Sequence, residues 1–200
     1  IMLIVALGVA FLAGIKVSSP MMKDTTDQYM DEYQMMDISV LSTLGIEKAD
    51  MEAISKLKQV ERIMGSYSLN MLARIEGSQK VIKVHSLGSL SQEDENLINK
   101  PKLVEGRWPS RPNECLIDGT KLTRLPIQIG DTITLTTGTD EEVRDVLNND
   151  TYTVVGFMNS PYYMHFERGP AEIGNGSVAS YIYIPEENFK SDLYTELLLR

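Results

Sequence analysis

The side chains best suited to chemistry in this 200-residue chain are two histidines, His85 and His165, a single cysteine, Cys115, and two carboxylate groups, Asp24/Asp27/Asp31 and Asp140/Glu141/Glu142. A zinc site asks for cysteines and histidines a few positions apart, and neither histidine has such a neighbour. Covalent catalysis asks for a nucleophile with a base and an orienting group beside it, which two isolated histidines cannot assemble. Cys115 precedes Leu116 and Ile117 in an apolar strand pattern, a setting that suits a buried, inert thiol better than a nucleophile. Neither carboxylate group has the glycine-containing spacing of a calcium loop, so solvated charge is the simpler reading of both. The sequence contains no glycine-rich phosphate loop ending in Lys-Ser/Thr and no G-x-S-x-G elbow. The expectation is a chain with no catalytic residue, no metal and no cofactor of its own.

Recognition is better represented. Pro161-Tyr162-Tyr163-Met164-His165-Phe166 runs into Arg168-Gly169-Pro170, and aromatic residues breaking into a Gly/Pro loop can form a partner-binding surface. Tyr162, Tyr163, Met164 and Phe166 are the candidates; the competing reading is a strand end packed on the core. Asn149-Asp150-Thr151 and Asn175-Gly176-Ser177 match the short glycosylation pattern, which matters only in a cell that glycosylates there. With 28 acidic against 19 basic residues the net charge is −9, and no Lys/Arg run offsets it, which argues against nucleic acid as a partner. A lone cysteine excludes a disulfide within the chain.

These residues need elements to hold them. Residues 1–15, IMLIVALGVAFLAGI, carry no charge and no strong hydrogen-bonding side chain. As a helix they span about 22 Å, short of the ~30 Å hydrocarbon core. The readings are the C-terminal part of a transmembrane helix, a signal-peptide core and a buried helix, and apolarity on every face favours the first. In residues 16–33, Ser18 or Ser19 can cap a helix with Pro20 in its first turn. Met22, Thr26, Tyr29 and Tyr33 then share one helical face, as in a stalk leaving the bilayer or in an amphipathic surface helix. Few positive charges flank the segment and the acidic bulk follows it, which points to an extracytoplasmic domain from about residue 18 onward.

Residues 34–200 read as an α+β domain with a mixed β-sheet and flanking helices. Strands are expected at 35–41, 66–75, 80–87, 114–118, 131–137, 151–158, 180–184 and 193–200, with a hairpin turn at Glu76-Gly77-Ser78-Gln79 and a helix after Gly45 carrying Ile46, Met51, Ile54 and Leu57. Ser91 and Asp94 suit a capping box, 102–112 is a run of turn formers, and 138–150 reads as a solvated loop or short surface helix. Pro185-Glu186-Glu187 suits a short helical turn, and residues 88–150 suit an inserted β-rich subdomain.

The order of these pieces resembles the extracytoplasmic core domain of MacB/FtsX-type ABC transporter permeases, in a version like those of Gram-positive bacteria. The resemblance rests on Leu12-Ala13-Gly14-Ile15 leading into the stalk, Asp37-Ile38-Ser39-Val40, Asp50-Met51-Glu52-Ala53-Ile54, Glu105-Gly106-Arg107-Trp108-Pro109, Asn113-Glu114-Cys115-Leu116-Ile117, Ile129-Gly130-Asp131-Thr132-Ile133 and Tyr152-Thr153-Val154-Val155-Gly156-Phe157. It implies a bacterial membrane protein whose ATP hydrolysis resides in a separate nucleotide-binding subunit or domain. It also implies coupling of membrane-helix movement to a substrate or partner outside, with a second permease copy and membrane lipid as further partners. A membrane-anchored binding or sensor module without transport activity is the alternative. Residues 138–150 and 159–178 match no pattern of the family.

Overall fold

The computed structural model describes residues 2–90, 94–122 and 124–200. One helix, α1 (Met2–Glu32), carries both the apolar run and the stalk. Its 31 residues reach about 46 Å, and it is long and apolar enough to cross a membrane. No new helix starts at Ser18 or Ser19: the Ser18 hydroxyl donates back to the Gly14 carbonyl at 2.8 Å, and Pro20 lies in the helix interior, where it removes one N–H from the ladder. Thr25 and Thr26 bond the carbonyls of Met21 and Met22 in the same way, each at 2.8 Å, so these hydroxyls leave no loose donor on the helix.

The chain continues through β1 (Ile38–Ile46), α2 (Lys48–Ser55), β2 (Ile63–Ser66), β3 (Ser68–Ile75), β4 (Ser78–Leu87), β5 (Lys102–Gly106), β6 (Glu114–Asp118), β7 (Thr132–Thr136), α3 (Val143–Val146), β8 (Thr151–Asn159), β9 (Val178–Pro185), a 3-10 turn at Glu186–Asn188 and β10 (Tyr194–Leu199). This is the expected α+β composition with mixed pairing. β1, β10 and β2 form a three-stranded antiparallel sheet in that order, and α2 covers one face through Met51 and Ile54 packed on Ile46, Leu197 and Leu199.

The other strands run β5-β8-β6-β9-β4-β3-β7. The first half of β8 also pairs with β7, Thr132 opposite Thr153 and Thr134 opposite Thr151, which closes β8-β6-β9-β4-β3-β7 into a barrel. The second half of β8 takes β5 on that same edge, from Lys102 opposite Asn159 to Gly106 opposite Gly156. Strand alternation explains the filling. Ile82, Val84, Ile117, Ile133, Leu135, Tyr152, Val154, Phe157 and Ile182 form one buried cluster, while Leu87, Leu116, Val155, Met158, Tyr181 and Tyr183 form a second.

Several expectations need correction. β1 starts at Ile38 rather than 35 and runs past 41 to Ile46, through a register shift after Leu41 and with Gly45 at φ +85. The turn-rich run 102–112 begins with a strand, β5, which ends at Gly106. There φ is +88 and an added Cβ would stand 2.3 Å from the Val155 carbonyl oxygen, so glycine is required for the close approach to β8. The strands within 88–150, β5, β6 and β7, pair with β8, β9 and β3 in the second sheet, which spans Ser68 to Pro185. The Ser91 of the expected capping box lies outside the described residues, and Asp94 accepts from the Asn96 N–H at 2.9 Å.

Candidate functional site

α1 meets the body at its C-terminal end. The Arg200 guanidinium donates to the Asp31 carboxylate at 2.6 Å, and the Asn99 and Lys100 N–H groups donate to the carbonyls of Gln34 and Tyr33, each at 2.9 Å. The Asn99 side chain accepts from the Met36 N–H at 2.9 Å, Lys102 Nζ stands 5.3 Å from the Tyr33 ring centre, and Arg62 donates to the Gln34 side chain. Of the four expected stalk residues, Tyr29 and Tyr33 are half-buried, with their rings tilted against each other at 4.8 Å between centres, whereas Met22 and Thr26 remain exposed. They do not form one docked face; the helix is held by its last turn and the residues that follow.

The expected recognition cluster divides in two. Tyr162 and Tyr163 turn inward to a joint between the two sheets, while Met164 and Phe166 are exposed. Tyr162 donates to Glu196 Oε1 on β10 at 2.9 Å, and Ser39 on β1 donates to the same oxygen. The Tyr163 ring stacks on Tyr181 at 4.0 Å, and its hydroxyl pairs with His85 Nε2 on β4 at 2.6 Å. His85 also stacks on Tyr183 at 5.1 Å, and the Tyr183 hydroxyl reaches Ser160 Oγ at 3.0 Å. One short loop thus joins β1 and β10 of the small sheet to β4 and β9 of the barrel.

Burial governs the electrostatics of this joint. It pushes His85 from 6.5 down to about 3, with Lys83 adding a lesser repulsion, so the imidazole is neutral. Burial likewise raises the Tyr162, Tyr163, Tyr181 and Tyr183 hydroxyls well above their usual range, which makes them hydrogen-bonding protons rather than acids. Glu196 is fully buried, and its Oε2 has no hydrogen-bond partner among the described residues. Beyond the loop tip, Arg168 donates through Nε to Asp118 at 2.9 Å and through Nη2 to Thr120 at 2.8 Å, and its guanidinium lies 5.2 Å from the Tyr181 ring centre.

Elsewhere, Arg107 forks onto Glu114 at 2.7 and 2.5 Å, and the Ser110 N–H adds a contact at 2.8 Å. The Arg107 hydrogen bonds hold the Glu114 carboxyl at about 2, well below its usual value, and fasten the segment after β5 to the start of β6. Cys115 is buried and its thiol is pushed upward by that burial, an unreactive setting. Among the described residues, no three His, Cys, Asp or Glu side chains are grouped so as to hold a metal ion.

The joint contains residues that motif reading does not single out. Tyr181 and Tyr183 alternate in SYIYI and so share a face, and Glu196 is the one acid in the strand Tyr194–Leu199; those were the available signals. An open groove of about 450 Å³ separates Met164 from Met21, Met22, Thr25, Thr26 and Tyr29, so the structure does bring stalk and loop candidates together.

Among solved structures, the chain is similar to the extracellular domain of the noncanonic ABC-type transporter YknZ from Gram-positive bacteria, at 13% identity and TM-score 0.47 over 80% of this chain and 74% of that one. It is also similar to the periplasmic region of MacB from Actinobacillus actinomycetemcomitans, at 10% identity and TM-score 0.43 over 80% and 65%. A comparison with curated proteins finds no match. The family model of the MacB-like periplasmic core domain matches residues 1–199, nearly the whole chain, which therefore belongs to that family.

Proposed function

We propose that this chain is the extracytoplasmic part of an ABC transporter permease, and that it passes membrane-helix movement, driven by ATP hydrolysis in a partner subunit, to a substrate or partner outside. The observation that carries the reading is the unbroken α1, which runs from the apolar segment to a hydrogen-bonded attachment at Asp31, Tyr33 and Gln34. A rigid rod fixed at its far end transmits displacement; a flexible joint would absorb it. In this reading residues 1–15 lie in the bilayer, residues from about 18 onward are outside, and the chain performs no catalysis of its own. The ATPase subunit, a second permease copy and membrane lipid are its partners.

Replacing Asp27-Gln28 by Gly-Gly in the full-length protein tests the coupling. It costs the helix only about 1 kcal/mol per glycine, so the protein should reach the membrane folded, keep its partner's ATP hydrolysis and lose transport. Unchanged transport would favour a passive binding or sensor module instead. Separately, Asn148→Cys, at an exposed position, should react with a membrane-impermeant thiol reagent in intact cells. Reaction only after lysis would place the domain in the cytoplasm.

A further inference from the structure

We propose that the loop at residues 161–167 is a second membrane contact, which lowers Met164 and Phe166 into the interfacial layer of the leaflet that α1 leaves. The inference rests on the reading of α1 as a membrane-crossing helix and adds a lipid-facing site on the folded body.

The height of the loop follows from the helix. Asp24 and Asp27 must lie outside hydrocarbon, whereas Lys16 can extend its charge to the surface, so the crossing ends between Lys16 and Lys23. The wall of the groove facing Met164 begins at Met21, no more than about 8 Å beyond that boundary at 1.5 Å per residue. The headgroup layer extends roughly 5–8 Å beyond the hydrocarbon on each side. The same groove extends along α1 as far as Tyr29, up to about 20 Å beyond the boundary, so Met164 borders a groove whose membrane-proximal end opens at that layer, with Phe166 two residues further along the same loop.

The loop is also held so as to present these side chains. On one side Tyr163 stacks on Tyr181 and Tyr162 is bonded to Glu196; on the other, buried Arg168 is bonded to Asp118. Between these anchors Met164 is 51% and Phe166 is 64% exposed, large apolar side chains fixed outward rather than folded back. An aromatic ring beside a thioether suits the boundary between headgroups and acyl chains, where apolar area is covered without deep insertion. The groove's other wall includes Met21 and Met22, exposed apolar side chains on α1 one to two turns beyond its apolar run, so apolar surface on the helix and on the loop lies on the same side of the groove mouth.

The test uses the full-length protein. Phe11→Cys and Phe166→Cys are labelled in detergent with an environment-sensitive NBD group, buried Cys115 being shielded from reagent, and reconstituted into phosphatidylcholine vesicles with or without nitroxide-bearing acyl chains. The expected result is nitroxide quenching at both positions, strong at 11 and partial at 166, with blue-shifted emission at 166. Quenching at 11 but none at 166 overturns the loop contact while leaving the α1 reading intact. A blue shift at 166 without quenching assigns the site to protein, a second copy or another segment, and equally overturns the proposal. Loss of quenching at both positions removes the α1 reading and the loop contact with it.

Discussion

A carboxylate inside an apolar sheet needs donors, and Glu196 takes them from Ser39 and Tyr162 on different parts of the chain. Removing the Tyr162 hydroxyl as Tyr162→Phe should lower stability by about 1–3 kcal/mol, and much of that loss should vanish in a Glu196→Gln background. Denaturant midpoints for the four proteins of the cycle check this; strictly additive effects would show that the two residues are not coupled. His85 adds a pH dependence. The folded protein binds its proton more weakly than the unfolded chain, so this contribution is complete above about pH 6.5 and is lost as pH falls toward about 3. Melting temperature should drop across that interval, and His85→Phe, less stable at pH 7.5, should show a shallower drop; parallel curves would remove His85 as the cause. The joint was only partly legible in the sequence. Tyr162 and Tyr163 were recognisable as aromatic residues at a loop, but inward and outward side chains in an irregular segment follow no period.

At the scale of elements, alternation served at β7, where one face is buried and the other wet, and apolar runs served at strands such as β6, β8 and β9 that are buried on both faces. β3, β4, β6, β7, β8, β9 and β10 all lie where alternation or an apolar run puts them. Periodicity failed at β5, whose exposed Glu105 and glycine end resemble a turn because pairing with β8, not burial, defines the strand. It also placed a boundary inside α1 at Pro20, a residue that starts helices well but can be carried within a long one when neighbouring turns hold. Replacing Pro20 by Ala restores one backbone donor and should stiffen α1, with up to about 3 kcal/mol of local gain. Slower hydrogen exchange at residues 17–24 in reconstituted protein is the expected reading, and unchanged exchange would show that the proline does not limit the helix there.

At the scale of the whole molecule, α1 contributes no buried residue, so residues 34–200 should fold without it. Their melting temperature should lie within a few degrees of that of the detergent-solubilised full chain and be unchanged by EDTA. A collapse on deletion would make α1 part of the core, and a collapse with chelator would reveal a metal requirement. The attachment of helix to body has a directional consequence. Asp31 and Arg200 touch, the Asp37 N–H reaches the Leu199 carbonyl at 2.9 Å, and β1 begins opposite the end of β10. A pull separating residues 32 and 200 would open that antiparallel pair from its adjacent ends, one hydrogen bond after another, and would leave the barrel unloaded. A push along α1 instead loads the same contacts without peeling them apart in sequence. Under the proposed coupling the attachment resists thrust along α1 better than separation of residues 32 and 200, with the barrel carried alongside that line of force rather than within it.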